Sequence, residues 1–404
     1  MDNKKKIKLL VVLIIIGIIA VLVSIYILKV KPLAAELSKQ DRDPIRIEDL
    51  TLIDSALSKL RDSNQDAFLG DQNRVYISIP AYSTNCSGLN LPPLPNNWEY
   101  RCQTEKNYRD LNGQGWLPVD FTKLPEDFKF KSSLPTDSVN TAESGYYYSY
   151  VVGENNNFVL TSLLESDENL KKITPKDGGT DSVRLEVGSN LQLWAKAQGL
   201  VGYWKFDEGQ GIEAADSSGN NTGTLMNEPA WVDGRIGKAL SFNGKDNYVK
   251  TSNPLNIENG EITFETWAYL LSNATPTHPT LIGRGGQPDN GAVSFGFVNT
   301  SNLRLDWSDG TTGNYAMFDA RQYRDNWHHF VAVLSYPNNY ARIYVDGILK
   351  SEQTMGSFAF KLNWPILIGN SWGVHSWNGF IDEVKIYNRA LNSSEIRTVF
   401  NATK

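Results

Sequence analysis

Ile262-Thr263-Phe264-Glu265-Thr266-Trp267-Ala268-Tyr269 is the stretch of this 404-residue chain that says most about its fold. Apolar or aromatic residues alternate there with polar ones, and a period of two indicates a β-strand with one face on a core. Turn signals such as Asn243-Gly244 and Asp346-Gly347 separate this run from similar ones. The pattern predicts an antiparallel β-sandwich over residues 200–404. The other clear runs are residues 239–242, 248–251, 329–334 and 341–345.

The same half of the chain carries a series of short motifs. They are Val201-Gly202-Tyr203-Trp204-Lys205-Phe206-Asp207-Glu208-Gly209, Asp216-Ser217-Ser218-Gly219-Asn220, Gly237-Lys238-Ala239-Leu240-Ser241-Phe242-Asn243-Gly244, Trp327-His328-His329, Tyr344-Val345-Asp346-Gly347 and Gly379-Phe380-Ile381-Asp382-Glu383-Val384-Lys385-Ile386-Tyr387-Asn388-Arg389-Ala390-Leu391. Together they resemble the laminin-G-like, concanavalin A-like jelly-roll family. The resemblance implies a two-sheet jelly roll that binds glycans or proteins, commonly with a structural calcium ion. A fold does not determine its ligand, so carbohydrate and protein both stay open.

Candidate calcium ligands follow from this resemblance. The family's first and last strands pair, which would bring Asp207 and Asp382 towards each other, with Asn243 and Asp246 on a neighbouring turn. Calcium prefers carboxylate and carbonyl oxygens, so these residues are the predicted metal ligands. The alternative is that Asp207 and Asp382 cap turns by accepting hydrogen bonds from backbone amides.

Candidate ligand-binding residues are the aromatic ones expected at loops or strand edges. Trp307 and Trp372, with Tyr315 and His375, belong to this group. An exposed aromatic ring can stack on the apolar face of a sugar, which makes these four residues the predicted ligand-binding set. The alternative is that the tryptophans are partly buried anchors of their loops.

Catalytic patterns point away from an enzyme. Related jelly rolls that cleave glucans carry two Glu residues around an Asp on one strand, and this chain has no Glu-x-Asp-x-Glu. Gly369-Asn370-Ser371-Trp372-Gly373 matches the serine-hydrolase pattern, but a position between two strands of an all-β domain favours a loop. The sandwich is therefore predicted to bind without catalysis, with a glycoside hydrolase as the alternative.

The N-terminus predicts a membrane anchor. Lys4, Lys5, Lys6 and Lys8 precede an apolar run over residues 9–28. About 20 residues at 1.5 Å each span the ~30 Å hydrocarbon core. Residues 1–31 are therefore predicted to form a cytoplasmic stub and a membrane helix. The lysines predict that the N-terminal end lies in the cytoplasm and that the bulk of the chain lies outside the cell membrane. A cleaved signal peptide is the alternative, with Ala34-Ala35 as the nearest small pair.

Residues 32–172 are predicted to form an α+β domain. Asp43-Pro44 has the form of a helix start, and apolar residues then recur at steps of three and four along one face. Short strand patterns follow, such as residues 75–79 and 146–152, so we expect a helix packed on a small antiparallel sheet. Polar residues 173–199 then predict a linker to the sandwich. The apolar positions of the helix are Ile47, Leu50, Ile53, Leu57 and Leu60.

This N-terminal half also resembles a known family. The residues are Arg42-Asp43, Arg46, Asp49-Leu50, Ile53, Ala56-Leu57, a Cys-bearing loop, Leu134-Pro135-Thr136-Asp137-Ser138-Val139-Asn140, Tyr146-Tyr147-Tyr148 and Leu163-Leu164-Glu165. With the apolar N-terminal segment they resemble the type IV pilins and type II secretion pseudopilins. The resemblance implies a bacterial surface location and other pilin-like subunits as partners.

The pilin resemblance does not extend to the site that the family uses for processing and assembly. The family's Gly-Phe-Thr-Leu-Ile-Glu peptidase site is missing, and no carboxylate lies between Leu9 and Leu28. A helix start at Pro44 would also break the long helix of a filament core. The prediction is therefore a pilin-like stalk that stays in the membrane and carries an adhesin-like head. A minor pilin or pseudopilin with a lectin-like tip is the alternative.

The net charge and the cysteine content bear on the partners of the chain and on disulfide formation. The net charge of -6 and the pI near 5.4 argue against nucleic acid as a partner. Cys86 and Cys102 are the only cysteines and lie in a loop-rich stretch. Outside the cell they are expected to form a disulfide, with two reduced buried thiols as the alternative.

Overall fold

We describe the protein in a computed structural model covering residues 31–64, 67–124, 130, 132–219, 221–255, 257, 260–272, 278–284, 292–299, 301–308, 313–356, 364–371 and 375–404. Within these ranges, no helix is long and apolar enough to cross a membrane. The predicted span, residues 9–28, lies outside the described residues.

The N-terminal domain packs one long helix on a five-stranded sheet. Apolar residues of the helix, among them Leu50, Ile53 and Leu57, are fully buried against the sheet, as their spacing predicts. The elements are α1 Lys31–Ser63, β1 Arg74–Pro80, β2 Glu99–Gln103, β3 Tyr148–Val152, β4 Phe158–Leu163, α2 Asp167–Lys172, β5 Arg184–Gly188 and α3 Gln192–Ala197. The sheet order is β2-β1-β3-β4-β5. Because β1 and β2 are parallel and the other pairs antiparallel, the sheet is mixed and not wholly antiparallel as predicted.

The predicted helix start at Asp43-Pro44 is wrong, because α1 begins at Lys31 and continues through Pro44. Asp43 does not cap a helix. Its carboxylate accepts hydrogen bonds from the backbone amides of Glu165 and Ser166 and forms an ion pair with Arg46. A residue type that suits a helix cap is thus used in a tertiary contact, which the local pattern does not reveal.

The predicted linker, residues 173–199, is folded. It contains β5, which pairs with β4, and the helix α3. Its polar residues form hydrogen bonds within the segment. For example, a Glu186 carboxylate oxygen accepts hydrogen bonds from the backbone amides of Thr180 and Asp181. The N-terminal domain therefore extends past residue 172.

The predicted disulfide is present. Cys86 and Cys102 are bonded, with their Cα atoms 5.3 Å apart, and connect the loop after β1 to β2. Both residues are buried beside Leu193 and Trp194.

The C-terminal domain is the predicted antiparallel sandwich, built from two sheets. The strands are β6 Leu200–Trp204, β7 Glu213–Ala214, β8 Gly223–Met226, β9 Ala230–Asp233, β10 Lys238–Asn243, β11 Tyr248–Thr251, β12 Glu261–Leu270, β13 Thr280–Arg284, β14 Ala292–Val298, β15 Asn302–Ser308, β16 Gly313–Asp319, β17 His328–Ser335, β18 Tyr340–Val345, β19 Ile348–Gln353, β20 Ile366–Ile368 and β21 Asn378–Tyr387. One sheet, which we call the covered sheet, has the order β19-β18-β17-β12-β21-β10-β9, and β6 also pairs with β21. The other, which we call the groove sheet, has the order β16-β15-β14-β13-β20-β11-β8-β7.

The core of the sandwich lies between the inner faces of the two sheets. Phe242 and Phe264 of the covered sheet meet Phe295 and Trp307 of the groove sheet in one buried cluster. Strand β15 shows the alternation most clearly, since Leu303, Leu305 and Trp307 are buried while the residues between them are partly exposed.

The outer face of the covered sheet packs against the N-terminal domain and the C-terminal helix α4, Ser393–Thr403. Arg389 donates from Nε to the Gln198 carbonyl at 2.6 Å, and Lys385 donates to the Ser182 hydroxyl at 3.3 Å. Phe400 of α4 stacks on Trp267. The two domains therefore share an interface, and the groove described next lies on the other sheet.

Candidate functional site

A groove of about 360 Å³ lies on the outer face of the groove sheet, over β13 to β16. The strands supply Ser294, Arg304, Asp306 and Tyr315, and the neighbouring chain segments supply His278, Ser371 and His375. Hydroxyl, carboxyl, guanidinium and imidazole groups thus converge around one concave surface.

Strand pairing aligns three of these side chains in a row. Asp306 of β15 lies opposite Ser294 of β14 and Tyr315 of β16. Directly paired residues point to the same face of a sheet, so all three face the groove. The Ser294 hydroxyl donates to Asp306 Oδ2 at 3.4 Å, and the Tyr315 side chain is 54% exposed.

Arg304 links this row together. It lies two residues before Asp306 on β15, and its Nε donates to Asp306 Oδ2 at 2.9 Å. Its guanidinium lies 5.4 Å from the ring centroid of Tyr315. The aromatic ring and the carboxylate together hold the guanidinium in place.

The electrostatics of the groove are set by burial and by positive charge. Burial raises the pKa of the Asp306 carboxyl, and the charge of Arg304 opposes that rise. Burial also lowers the pKa of His375, and the nearby His278 and Arg304 lower it further. The two imidazole rings are 4.9 Å apart in an edge-to-face arrangement.

The four predicted ligand-binding residues lie in different environments. Tyr315 and His375 both line the groove. Trp307 also belongs to the groove lining, but the prediction of an exposed ring is wrong: its side chain points into the core with 1% exposed, and its indole Nε1 donates to the Met355 carbonyl. It lies inside strand β15, where its position places it on the inner face. Trp372 lies outside the described residues.

Several groove residues were not among the predicted ligand-binding set: Ser294, Arg304, Asp306 and His278. A signal for two of them was present, because Arg304 and Asp306 alternate with the apolar Leu303, Leu305 and Trp307. His278 carries no such signal, since it reaches the groove from a loop before β13.

The predicted calcium ligands form two separate pairs. Asp207 accepts a hydrogen bond from the Lys238 amide at 2.8 Å, and Asp382 accepts one from the Ile236 amide at 2.9 Å. Asn243 donates from its side-chain amide to Asp246 at 2.9 Å, at the opposite end of β10. A six-residue strand measures about 17 Å, so the four residues do not converge on one ion.

The Asp207 and Asp382 pair retains a feature that fits a cation. Asp382 is fully buried, and its Oδ1 has no hydrogen-bond partner among the described residues. Burial, with the charges of Glu383 and Asp207 nearby, raises the pKa of Asp382 to about 9. Binding of either a proton or a cation neutralises the buried carboxylate of Asp382. Among the described residues, no group of three or more His, Cys, Asp or Glu is placed to hold a metal, so calcium stays a prediction.

The described residues of the groove do not include the pair of carboxylates that hydrolysis of a glycosidic bond usually uses. Asp306 is the only carboxylate among the described residues that line it, whereas the usual mechanisms use two. Ser371 follows β20 in a segment that leads to β21, so it is not at a strand-to-helix turn. The arrangement suits binding through hydrogen bonds and one exposed aromatic ring.

Comparison with known proteins finds a family model that matches part of the sandwich. Residues 243–397 match the family model Laminin_G_3, described as the concanavalin A-like lectin/glucanases superfamily. No curated protein matches the chain in sequence. The described sandwich and this match agree with the jelly roll expected from the motifs.

Solved structures similar to this chain include domain 4 of AbnA, a GH43 extracellular arabinanase from Geobacillus stearothermophilus, in complex with arabinotriose. It is 23% identical with a TM-score of 0.40, and the match covers 51% of this chain and 98% of that one. The binding domain of botulinum neurotoxin serotype D is 15% identical with a TM-score of 0.43, covering 50% and 51%. The binding domain of Paraclostridial Mosquitocidal Protein 1 is 19% identical with a TM-score of 0.42, covering 50% and 52%. The match thus spans about half the length of the two toxin structures.

Proposed function

We propose that this protein is a single-pass, membrane-anchored bacterial surface protein whose sandwich binds carbohydrate in the groove over β13 to β16, without catalysis. The match of residues 243–397 to a superfamily of lectins and glucanases supports a carbohydrate ligand. The anchor rests on the lysines before residue 9 and the apolar run over residues 9–28.

One observation carries the carbohydrate proposal: Tyr315 is exposed directly beside the Arg304–Asp306 pair. A sugar presents an apolar ring face and a rim of hydroxyl groups. The Tyr315 ring matches the first, and the guanidinium and carboxylate match the second. A protein ligand is the other outcome that this domain class leaves open.

Binding is tested with full-length protein, purified in mild detergent, on an array of immobilised plant, bacterial and animal glycans. We expect binding to a subset of glycans and a loss of at least tenfold in affinity in Tyr315→Ala. Tyr82, a fully exposed tyrosine of the N-terminal domain, provides the matched control as Tyr82→Ala. Binding that survives Tyr315→Ala would contradict the proposed site.

The same incubations test for catalysis. Bound glycans are analysed for released sugars over time. Release that disappears in Asp306→Asn would make the protein a glycoside hydrolase, whereas binding without release supports the proposed lectin-like role. Absence of binding to every glycan would favour a protein ligand.

A filament subunit with a lectin-like tip is the second candidate. The long helix α1 packed on the sheet of the N-terminal domain favours it, together with the residues that resemble pilins. The intact mass of the native protein separates the two. A mass that includes residues 1–28 supports a stationary anchor, and loss of the start of that segment supports assembly into a filament.

A further inference from the structure

Building on the proposed carbohydrate groove, we propose that it selects sugars that carry a carboxylate, of the uronic acid class, and that Arg304 binds this carboxylate through its two terminal amino groups.

The first support is the way Arg304 is held. Its Nε donates to Asp306, and its Cζ lies 5.4 Å from the ring centroid of Tyr315. Nη1 and Nη2 form no hydrogen bond with any described residue, although the side chain is partly exposed at the groove. A guanidinium fixed in this way presents two parallel donors, which match the two oxygens of a carboxylate.

The second support is the balance of charge around the groove. His278 and His375 lie beside Arg304, and the field of these groups disfavours a further positive charge on His375. Asp306, the only carboxylate among the described lining residues, already accepts hydrogen bonds from Arg304 and Ser294. Arg304 and Asp306 thus balance each other in charge, and a bound anion would offset the positive field that disfavours protonation of His375.

A neutral sugar is the competing ligand. Asp306 Oδ1 has no hydrogen-bond partner among the described residues and is able to accept from a sugar hydroxyl, while Arg304 donates to the neighbouring one. The two alternatives differ in what Arg304 contributes. A bidentate pair with a carboxylate needs the flat guanidinium, whereas a hydroxyl accepts equally well from an ammonium group.

The chain offers a matched control on the other sheet. Arg342 of β18 donates from Nε to Glu352 at 2.7 Å and lies 3.8 Å from the ring centroid of Tyr340. The arrangement repeats that of Arg304, Asp306 and Tyr315 but is not part of the groove lining. Arg342→Lys thus removes an equivalent guanidinium without touching the proposed site.

The experiment uses full-length protein in mild detergent and pairs of polysaccharides that differ only at the carboxyl group. The probes are polygalacturonate, alginate, hyaluronan and glucuronoxylan, each beside its carboxyl-reduced form. We expect at least one acidic probe to bind roughly 10- to 100-fold tighter than its reduced partner. Arg304→Lys should abolish this preference while Arg342→Lys preserves it. Added salt should weaken binding of the acidic form more than that of the reduced form.

The outcomes separate this inference from the proposed function. Equal affinity for the two members of every pair, or binding of neutral glycans alone, would overturn the carboxylate preference and leave the carbohydrate groove standing. A preference that persists in Arg304→Lys would overturn the role of Arg304. Failure to bind any glycan would overturn the proposed function itself. Equal melting temperatures of the two variants and the unaltered protein exclude a folding defect.

Discussion

Trp307 and Tyr315 lie on adjacent strands of the groove sheet but face opposite sides of it. Trp307 is part of the sandwich core, and its indole hydrogen bonds to the Met355 carbonyl. Tyr315 packs near Arg304 and is exposed at the groove. The same residue class is thus buried in the core at one position and exposed at the groove at the other.

Trp307→Ala should reduce the free energy of unfolding by about 3–5 kcal/mol, because it leaves a cavity in the core. Tyr315→Ala should change the free energy of unfolding by less than about 1 kcal/mol, because the ring is largely exposed. Urea unfolding of both variants, followed by tryptophan fluorescence, measures the difference. Comparable losses would show that Tyr315 is a structural residue.

Asp382 lies in a site that disfavours its negative charge. Its folded-state pKa of about 9 is far above the ordinary value of 3.8 that applies in the unfolded chain. Between pH 4 and 9 the unfolded carboxyl is ionised while the folded one retains its proton. The free energy of unfolding therefore falls as the pH rises through this window.

Asp382→Asn should remove this pH dependence and, in the presence of a chelator, raise stability at pH 8 by about 1–3 kcal/mol. At pH 3 the variant and the unaltered protein should differ little, because the carboxyl is then largely protonated in both the folded and the unfolded states. Melting temperatures at the two pH values decide. A variant destabilised equally at both would show that the carboxyl is needed for its hydrogen bond to Ile236.

Calcium should stabilise the unaltered protein at pH 8 if Asp207 and Asp382 bind it. Free calcium at 100 times its dissociation constant adds about 2.7 kcal/mol, which raises the melting temperature by several degrees. The increase should disappear in Asp382→Asn and persist in Asp246→Asn, whose side chain lies at the other end of β10. Identical melting temperatures with calcium and with chelator would exclude the site.

At the scale of elements, α1 is fastened to the rest of its domain by buried charge. Arg46 bonds Asp43 at 2.9 Å and Asp137 and Glu165 at 2.5 Å each, and all four residues are buried. These contacts raise the pKa of Arg46 against the opposing effect of burial. One helix position thus joins the segment before β3 to the segment after β4.

Arg46→Ala should cost about 3–5 kcal/mol, because it leaves the buried carboxyl groups of Asp43 and Asp137 without their cation and Glu165 with Arg42 alone. Arg61→Ala, which removes an exposed pair with Asp62 on the same helix, should cost less than about 1 kcal/mol. Thermal unfolding of the two variants at pH 7 provides the measurement. Similar costs would mean that the network adds no more than a surface ion pair.

At the scale of the whole molecule, the domain interface sets the direction in which the groove faces. The outer face of the covered sheet packs on the N-terminal domain and α4, and the groove lies on the other sheet. If residues 9–28 anchor the chain, the groove belongs to the part exposed outside the cell.

Protease added to intact cells should therefore degrade residues 32–404, because the lysines before residue 9 predict a cytoplasmic N-terminal end. An antibody against the C-terminus follows the loss on blots, and a cytoplasmic protein serves as the control for lysis. Protection of the C-terminus until the cells are lysed would reverse the proposed orientation.

The sequence by itself determined the features that depend on neighbouring residues. Alternation over residues 262–269 predicted strand β12, because adjacent side chains of a strand must point to opposite faces. The helical spacing of Leu50, Ile53 and Leu57 predicted a buried stripe for the same kind of reason. The short span between Cys86 and Cys102 made their bond accessible to prediction.

Only the tertiary structure decided which polar groups meet. The sequence around Asp43 has the form of a helix cap. In the structure its carboxylate instead accepts hydrogen bonds from the backbone amides of the distant Glu165 and Ser166. Arg304 and His375 are 71 residues apart in number and reach one groove because β13 pairs with both β20 and β14, and β14 pairs with β15. Periodicity records how each segment buries its own apolar side chains, whereas a binding site depends on which segments pair, and pairing is settled by the packing of the whole domain.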